Sequence, residues 1–224
     1  MKLIRLEKDL SNIGEVIQAA KHELENGNVI LCPSHTNYTI AANVENEAAV
    51  KKVYAVKGRG FTKPLSIHVC DLEMAKKYVH LNRSAELLAK AYLPGKLTLV
   101  CKKKESTLDT LTGGSSKAGF MLADFEFCLK IAKACGFGYT GTSANLTGLS
   151  PCYSVEDFWR QKNGRPDPEI TLVVDYGDLP KVESTTVIDA TTTPITIIRE
   201  GFINSKEILT YWYKTRELAS PRLS

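Results

Sequence analysis

Lys57-Gly58-Arg59-Gly60-Phe61-Thr62-Lys63-Pro64-Leu65-Ser66-Ile67-His68-Val69 joins two different patterns in one stretch. Lys57, Arg59 and Lys63 place three cations close together, and Gly58 and Gly60 leave the backbone between them free to bend and approach a ligand. A pocket for a polyanion and a solvated basic turn both account for this half, which is neither a Walker loop nor a dinucleotide fingerprint. From Pro64 onward Leu65, Ile67 and Val69 alternate with Ser66 and His68, the period of a strand with one buried face. His68 shares a face with Ser66, either as a site residue or as a surface or satisfied core histidine. Upstream, Ala48, Val50, Val53 and Tyr54 recur at helical spacing, so a helix over 47–56 delivers the chain into Lys57.

Working outward, residues 29–32 read as a buried strand that ends in Pro33-Ser34-His35-Thr36-Asn37-Tyr38-Thr39. So many hydrogen-bonding side chains at a strand exit fit either the edge of a ligand cleft or an ordinary turn. Tyr139 to Gly148 is again small and polar; Ser143 and Asn145 face one side if the backbone stays extended. The remaining pattern alternates strands (3–6, 97–100, 119–123, 172–175, 183–189, 195–198) with helices (13–24, 71–78, 84–92, 125–134, 155–161, 205–212). Ser84 is the expected cap of its helix. Lys102-Lys103-Lys104 reads as a solvated charge run and 108–117, with Gly113-Gly114-Ser115-Ser116, as a mobile loop. Such alternation predicts an α/β protein with a layered sheet and helices on its faces. The expected organisation is one domain over 1–204, followed by a C-terminal helix and loose tail over 205–224.

The chain has 224 residues, 43% hydrophobic and 24% charged, the ordinary balance of a globular protein. A net charge of +4 is too small to imply nucleic-acid binding, but it suits a site for anionic small molecules. The six cysteines show no CxxC spacing and sit mostly in apolar runs, which fits buried free thiols in a reducing cytoplasm better than disulfides or zinc. The N-terminus lacks the apolar core of a signal peptide and no stretch reaches the length of a membrane span, so neither a membrane partner nor a metal centre is expected.

Seven separate motifs occur in order: Pro33-x-x-Thr36-x-Tyr38, Lys57-x-Arg59, Lys63-Pro64-Leu65-x-x-His68, Pro94-Gly95-x-Leu97-Thr98, Ser143-Ala144-Asn145-x-x-Gly148, Ser184-Thr185 and Arg199-x-Gly201. Together, from about Asn28 to Gly201, they resemble the YrdC family of threonylcarbamoyl-AMP synthases, in its short form without an extra C-terminal domain. The resemblance implies a three-layer fold with a twisted mixed sheet, helices on both faces and a deep basic cavity. It also implies a nucleotidyltransferase that converts L-threonine, bicarbonate and ATP, with Mg2+, into L-threonylcarbamoyladenylate and pyrophosphate. That product passes to a tRNA threonylcarbamoyl transferase for the t6A modification at tRNA position 37, and RNA or tRNA is a further candidate partner.

By residue-for-residue resemblance Lys57, Arg59, Ser143 and Asn145 form the family's tetrad. Lys57, Arg59 and Lys63 are the expected catalytic cations. Thr36, Tyr38, His68 and Ser184 are expected around threonine and bicarbonate; Lys57, Arg59, Thr142, Ser143, Asn145 and Arg199 are expected around the nucleotide. The chemistry agrees, because a carbamate that attacks the α-phosphorus of ATP requires charge neutralisation on both partners. Four positions depart from the family pattern: His35 stands where Asp is usual, Thr39 where Gly is, Lys96 where Pro is, and Met121 where an arginine faces the pocket. They admit a second account, a divergent paralogue that binds ATP or RNA or acts on another substrate.

Overall fold

The computed structural model describes residues 1–219. In chain order the elements are β1 (Lys2–Arg5), α1 (Ile13–Glu25), β2 (Val29–Pro33), β3 (Tyr38–Ala41), α2 (Glu47–Lys57) and β4 (Ser66–His68). Then follow α3 (Leu72–Tyr78), β5 (Val79–His80), α4 (Arg83–Tyr92), β6 (Leu97–Lys103), α5 (Asp109–Thr112) and β7 (Lys117–Met121). The chain continues through α6 (Glu126–Cys135), β8 (Tyr139–Gly141), α7 (Val155–Gln161), β9 (Ile170–Asp175), β10 (Thr186–Asp189), β11 (Thr196–Arg199) and α8 (Ser205–Ala219).

The mixed α/β architecture is as expected, but the strands form two mixed sheets where one was expected. One runs β1-β9-β2-β3 and the other β11-β10-β6-β7-β4-β8, with β5 also paired to β6. They meet along β3 and β8, through the bridges Thr39 to Ser143 and Asn43 to Tyr139 and backbone hydrogen bonds such as Ile40 N–H to the Thr142 carbonyl at 3.0 Å and Thr140 N–H to the Ala42 carbonyl at 2.9 Å. Fully buried Leu31, Ile40, Ile67, Leu99, Phe120, Val173 and Ile188 fill the strands' inner positions, which is why residues with that alternation become the sheet interiors.

Local chemistry sets several element ends. Asn46 caps α2 by accepting from the Ala49 N–H at 3.1 Å, and Gly58 closes it in the left-handed region at φ 55°. The cap of α4 is Asn82, which accepts from the Ala85 N–H at 2.9 Å. Ser84, the expected cap, lies inside the helix, and its hydroxyl instead accepts from Trp212 Nε1 at 2.9 Å.

The expected loop at 108–117 is tied down. It contains α5, whose Leu111 and Thr112 are fully buried, and Tyr54 donates its hydroxyl to the Thr110 carbonyl at 2.9 Å. Apolar Leu111 outweighs the glycines here. Lys103 in the charge run is likewise engaged, paired with Asp109. The last helix extends beyond Trp212 to Ala219 and buries Ile208 and Trp212. Of the expected loose tail, residues 220–224 lie outside the described residues.

Candidate active site

Strand register lays down the floor of the site. Arg199 pairs with Val187 across β11 and β10, Val187 with Thr98 across β10 and β6, and Met121 with His68 across β7 and β4. Carrying the β6–β7 register one step beyond Leu99 and Phe120 sets Thr98 opposite Met121. Arg199, Val187, Thr98, Met121 and His68 therefore form one cross-strand row, and all five line a cavity of about 210 Å³. Four strand steps at about 4.8 Å each make the row roughly 19 Å long.

Loops raise the walls. The β2–β3 turn supplies Ser34, His35, Thr36 and Asn37; the α2–β4 loop supplies Arg59 and Pro64; the segment after β8 supplies Thr142 and Ser143; and the segment before β10 supplies Ser184 and Thr185. No carboxylate is among the lining residues, and the permanent charges facing the cavity are Arg59 and Arg199. Among the described residues no group of three or more His, Cys, Asp or Glu could hold a metal ion.

Lys57 and Asn145 stand one layer back. The Lys57 ammonium donates to the carbonyl of Ser143, to the Asn145 carbonyl at 3.1 Å and to Asn145 Oδ1 at 3.1 Å. Ser143 Oγ donates to the same Oδ1 at 2.5 Å, while Asn145 Nδ2 donates to the carbonyls of Leu146 and Leu149, each at 2.8 Å. The Thr147 N–H returns to the Lys57 carbonyl at 2.9 Å. A buried cation thus ties the Ser143 loop to the end of α2. Burial, reinforced by nearby Arg59, pushes the Lys57 ammonium down to about 7. Arg59 is also lowered by burial; its Nη2 donates to the Pro64 carbonyl at 3.2 Å and its buried Nε has no partner.

At the other end Arg199 donates from Nη2 to the Thr185 carbonyl at 2.7 Å and to Thr185 Oγ1 at 3.0 Å. Thr98 and Thr185 share a hydroxyl hydrogen bond of 2.7 Å. Gly201 permits this packing, since a Cβ there would collide with the carbonyls of Ser184 and Thr185. The end of the row opposite Arg199 is neutral. His68 stacks on Tyr139 with centroids 4.8 Å apart, and burial, with His35 nearby, lowers it to about 3. Burial also lowers His35 to about 4, against the opposing pull of Asp124.

The structure brings Thr36, Arg59, His68, Thr142, Ser143, Ser184 and Arg199 to the cavity, with Lys57 and Asn145 directly behind Ser143. Two expected site residues are placed elsewhere. Tyr38 is fully buried and does not line the cavity; its hydroxyl donates to the Gly177 carbonyl at 2.9 Å and accepts from the Tyr176 N–H at 2.8 Å. Lys63 is exposed and off the cavity, because Pro64 turns the chain into β4 just beyond it. Lys96 does not line the cavity either: its ammonium lies 2.9 Å from Asp124 Oδ2 and 4.8 Å from the Phe202 ring centroid. Sequence reasoning missed Asp124, which has no motif around it, and Thr98 and Thr185, whose motifs were visible without their role.

The family profile Sua5_yciO_yrdC, described as "Telomere recombination", matches residues 22–201. A Methanocaldococcus jannaschii relative is 33% identical over 189 residues, 84% of this chain and 87% of its own. The threonylcarbamoyl-AMP synthase of Pyrococcus abyssi is 30% identical over 197 residues, 86% of this chain but 56% of its own length. Among solved structures, P. abyssi Sua5 complexed with L-threonine superposes with a TM-score of 0.86 at 28% identity, covering 94% of this chain and 61% of that one. Escherichia coli YciO superposes with a TM-score of 0.81 at 21% identity, covering 93% of this chain and all of the other, which is a likeness of fold.

Proposed function

Because this chain belongs to the Sua5/YciO/YrdC family, we propose that it is a threonylcarbamoyl-AMP synthase, forming L-threonylcarbamoyladenylate and pyrophosphate from L-threonine, bicarbonate and ATP. The observation that carries this reading is the cross-strand row, with Arg199 at one end and neutral His68 at the other, faced by a second arginine, Arg59, on the wall. In this reading Arg199, Ser184 and Thr185 hold the nucleoside end. Arg59 and the loop of Thr142 and Ser143, set by Lys57 and Asn145, take the phosphates. Threonine and bicarbonate lie near Thr36 and His68, so that the carbamate oxygen meets the α-phosphorus between the two arginines and pyrophosphate leaves toward Arg59.

The reaction needs no covalent nucleophile, and none of the free cysteines lines the cavity. Mg2+ enters with ATP as part of the substrate, carried on phosphate oxygens, which agrees with a lining rich in hydroxyls and empty of carboxylates. No described helix is long and apolar enough to cross a membrane. A cytoplasmic setting, in which the adenylate passes to a tRNA threonylcarbamoyl transferase for t6A formation, completes the reading.

Pyrophosphate release from ATP should require both L-threonine and bicarbonate, and should be abolished by Lys57→Ala or Asn145→Ala. Equal release with any other amino acid would remove threonine from the assignment.

A further inference from the structure

His35 and His68 each bury a ring nitrogen that has no partner, Nε2 and Nδ1 respectively, and in His35, whose side chain is 2% exposed, the other ring nitrogen meets a carboxylate. Nδ1 lies 3.0 Å from Asp124 Oδ1, and the Asp124 backbone N–H is directed at the same Nδ1 from 3.3 Å, so a carboxylate and an N–H compete for one ring nitrogen. A carboxylate oxygen and a bare ring nitrogen at 3.0 Å would repel through their lone pairs, so a proton sits between them; the longer backbone contact is the weaker one. With the proton on Nδ1 of a neutral ring, Nε2 carries a lone pair. That atom is buried, unpartnered and part of a ring that lines the cavity next to His68, with the two ring centroids 6.2 Å apart.

Asp124 is itself held. Its other oxygen receives the Lys96 ammonium at 2.9 Å, and burial, which opposes ionisation, is outweighed by Lys96 and His35, so its carboxyl stays below the ordinary range. Lys96, Asp124 and His35 thus form a chain running from the rim to the cavity wall, with each member fixing the next.

A buried acceptor lone pair must be satisfied by something that enters the cavity. Phosphate and carboxylate groups are acceptors and would be repelled. The donor group common to any amino-acid substrate is its amine, which must also be free of its extra proton to attack carbon. Resting on the proposed function, we propose that His35 Nε2 accepts a hydrogen bond from the α-amino group of the amino-acid substrate, with Asp124 and Lys96 as positioning residues that set the ring's tautomer.

The test is isothermal titration of the purified protein with L-threonine and with L-2-aminobutyrate, which keeps the amine and lacks the hydroxyl, without ATP. His35→Ala should weaken both amino acids by the same factor, about fivefold for one hydrogen bond of roughly 1 kcal/mol, with ATP affinity within twofold. Asp124→Asn should weaken both less, and imidazole nitrogen NMR of the wild type should report His35 protonated at Nδ1. Thermal melting establishes that each variant is folded. Unchanged amino-acid affinity in a folded His35→Ala, a loss confined to threonine, or a wild-type ring protonated at Nε2 would overturn the proposal and leave the synthase reading standing. A wild type that binds ATP but neither amino acid would overturn both.

Discussion

The ammonium nitrogen of Lys57 lies 3.1 Å from Oδ1 of Asn145, 88 residues further along the chain, and both are buried. The end of α2 and the loop after β8 are thereby fastened through a single cation. Ser143 is presented to the cavity by that fastening.

Lys57→Met keeps much of the side chain's volume but removes the charged hydrogen bonds to Ser143 and Asn145. At roughly 1.5–3 kcal/mol, pyrophosphate release should fall at least about tenfold, and melting temperature should drop. Lys57→Arg should not rescue, because a planar guanidinium does not fit a site built around a point charge. Full activity in either variant would contradict the fastening role.

Three buried bases bind protons less readily folded than unfolded. His35 and His68 fall from 6.5 to about 4 and about 3, and Lys57 from 10.5 to about 7. In each window the unfolded chain binds more protons, so stability rises with pH: from about 3 to 6.5 for the histidines and from about 7 to 10.5 for Lys57. Urea midpoints should therefore fall as pH drops below 6.5. His68→Phe, which preserves the stack on Tyr139, should flatten that fall; an identical slope in the variant would refute the assignment.

Tyr38→Phe should lower stability by about 1–3 kcal/mol, since it leaves the Tyr176 N–H and the Gly177 carbonyl without their shared partner. Threonine and ATP KM values should stay within twofold. A selective rise in the threonine KM would return Tyr38 to the substrate site.

Arg199→Met should raise the ATP KM by about tenfold or more while leaving the threonine KM nearly unchanged, as expected for a charged contact at the nucleoside end. Lys63→Ala, at an exposed position off the cavity, should have a much smaller effect than Arg59→Ala. Comparable losses in those two variants would place Lys63 in the machinery.

Much of this site was legible in the chain because its residues sit in short motifs at element ends: Lys57 and Arg59 beside the Gly58 cap, Ser143 and Asn145 beyond β8, and Arg199 at the end of β11. The alternation after Pro64 placed Ser66 and His68 on one face, and both line the cavity. The reading failed where a residue's neighbours are distant in sequence. Tyr38 shares a polar motif with Thr36, yet Thr36 lies on the turn and β3 begins at Tyr38, where alternation gives Thr39 to the cavity and turns the Tyr38 ring the other way, to meet Tyr176 and Gly177. Leu111 anchors a stretch whose glycines read as a loop.

Period and end-cap chemistry are local properties, so the sequence alone determined which segments became strands and helices and which polar ends could meet a ligand. Register between strands far apart in the chain is not local. Only the tertiary structure decided that Arg199, Val187, Thr98, Met121 and His68 line up in one row, that the pairing divides into two sheets, and that Asp124 faces His35. Those outcomes depend on which faces bury together, a choice made by the packing of the whole molecule.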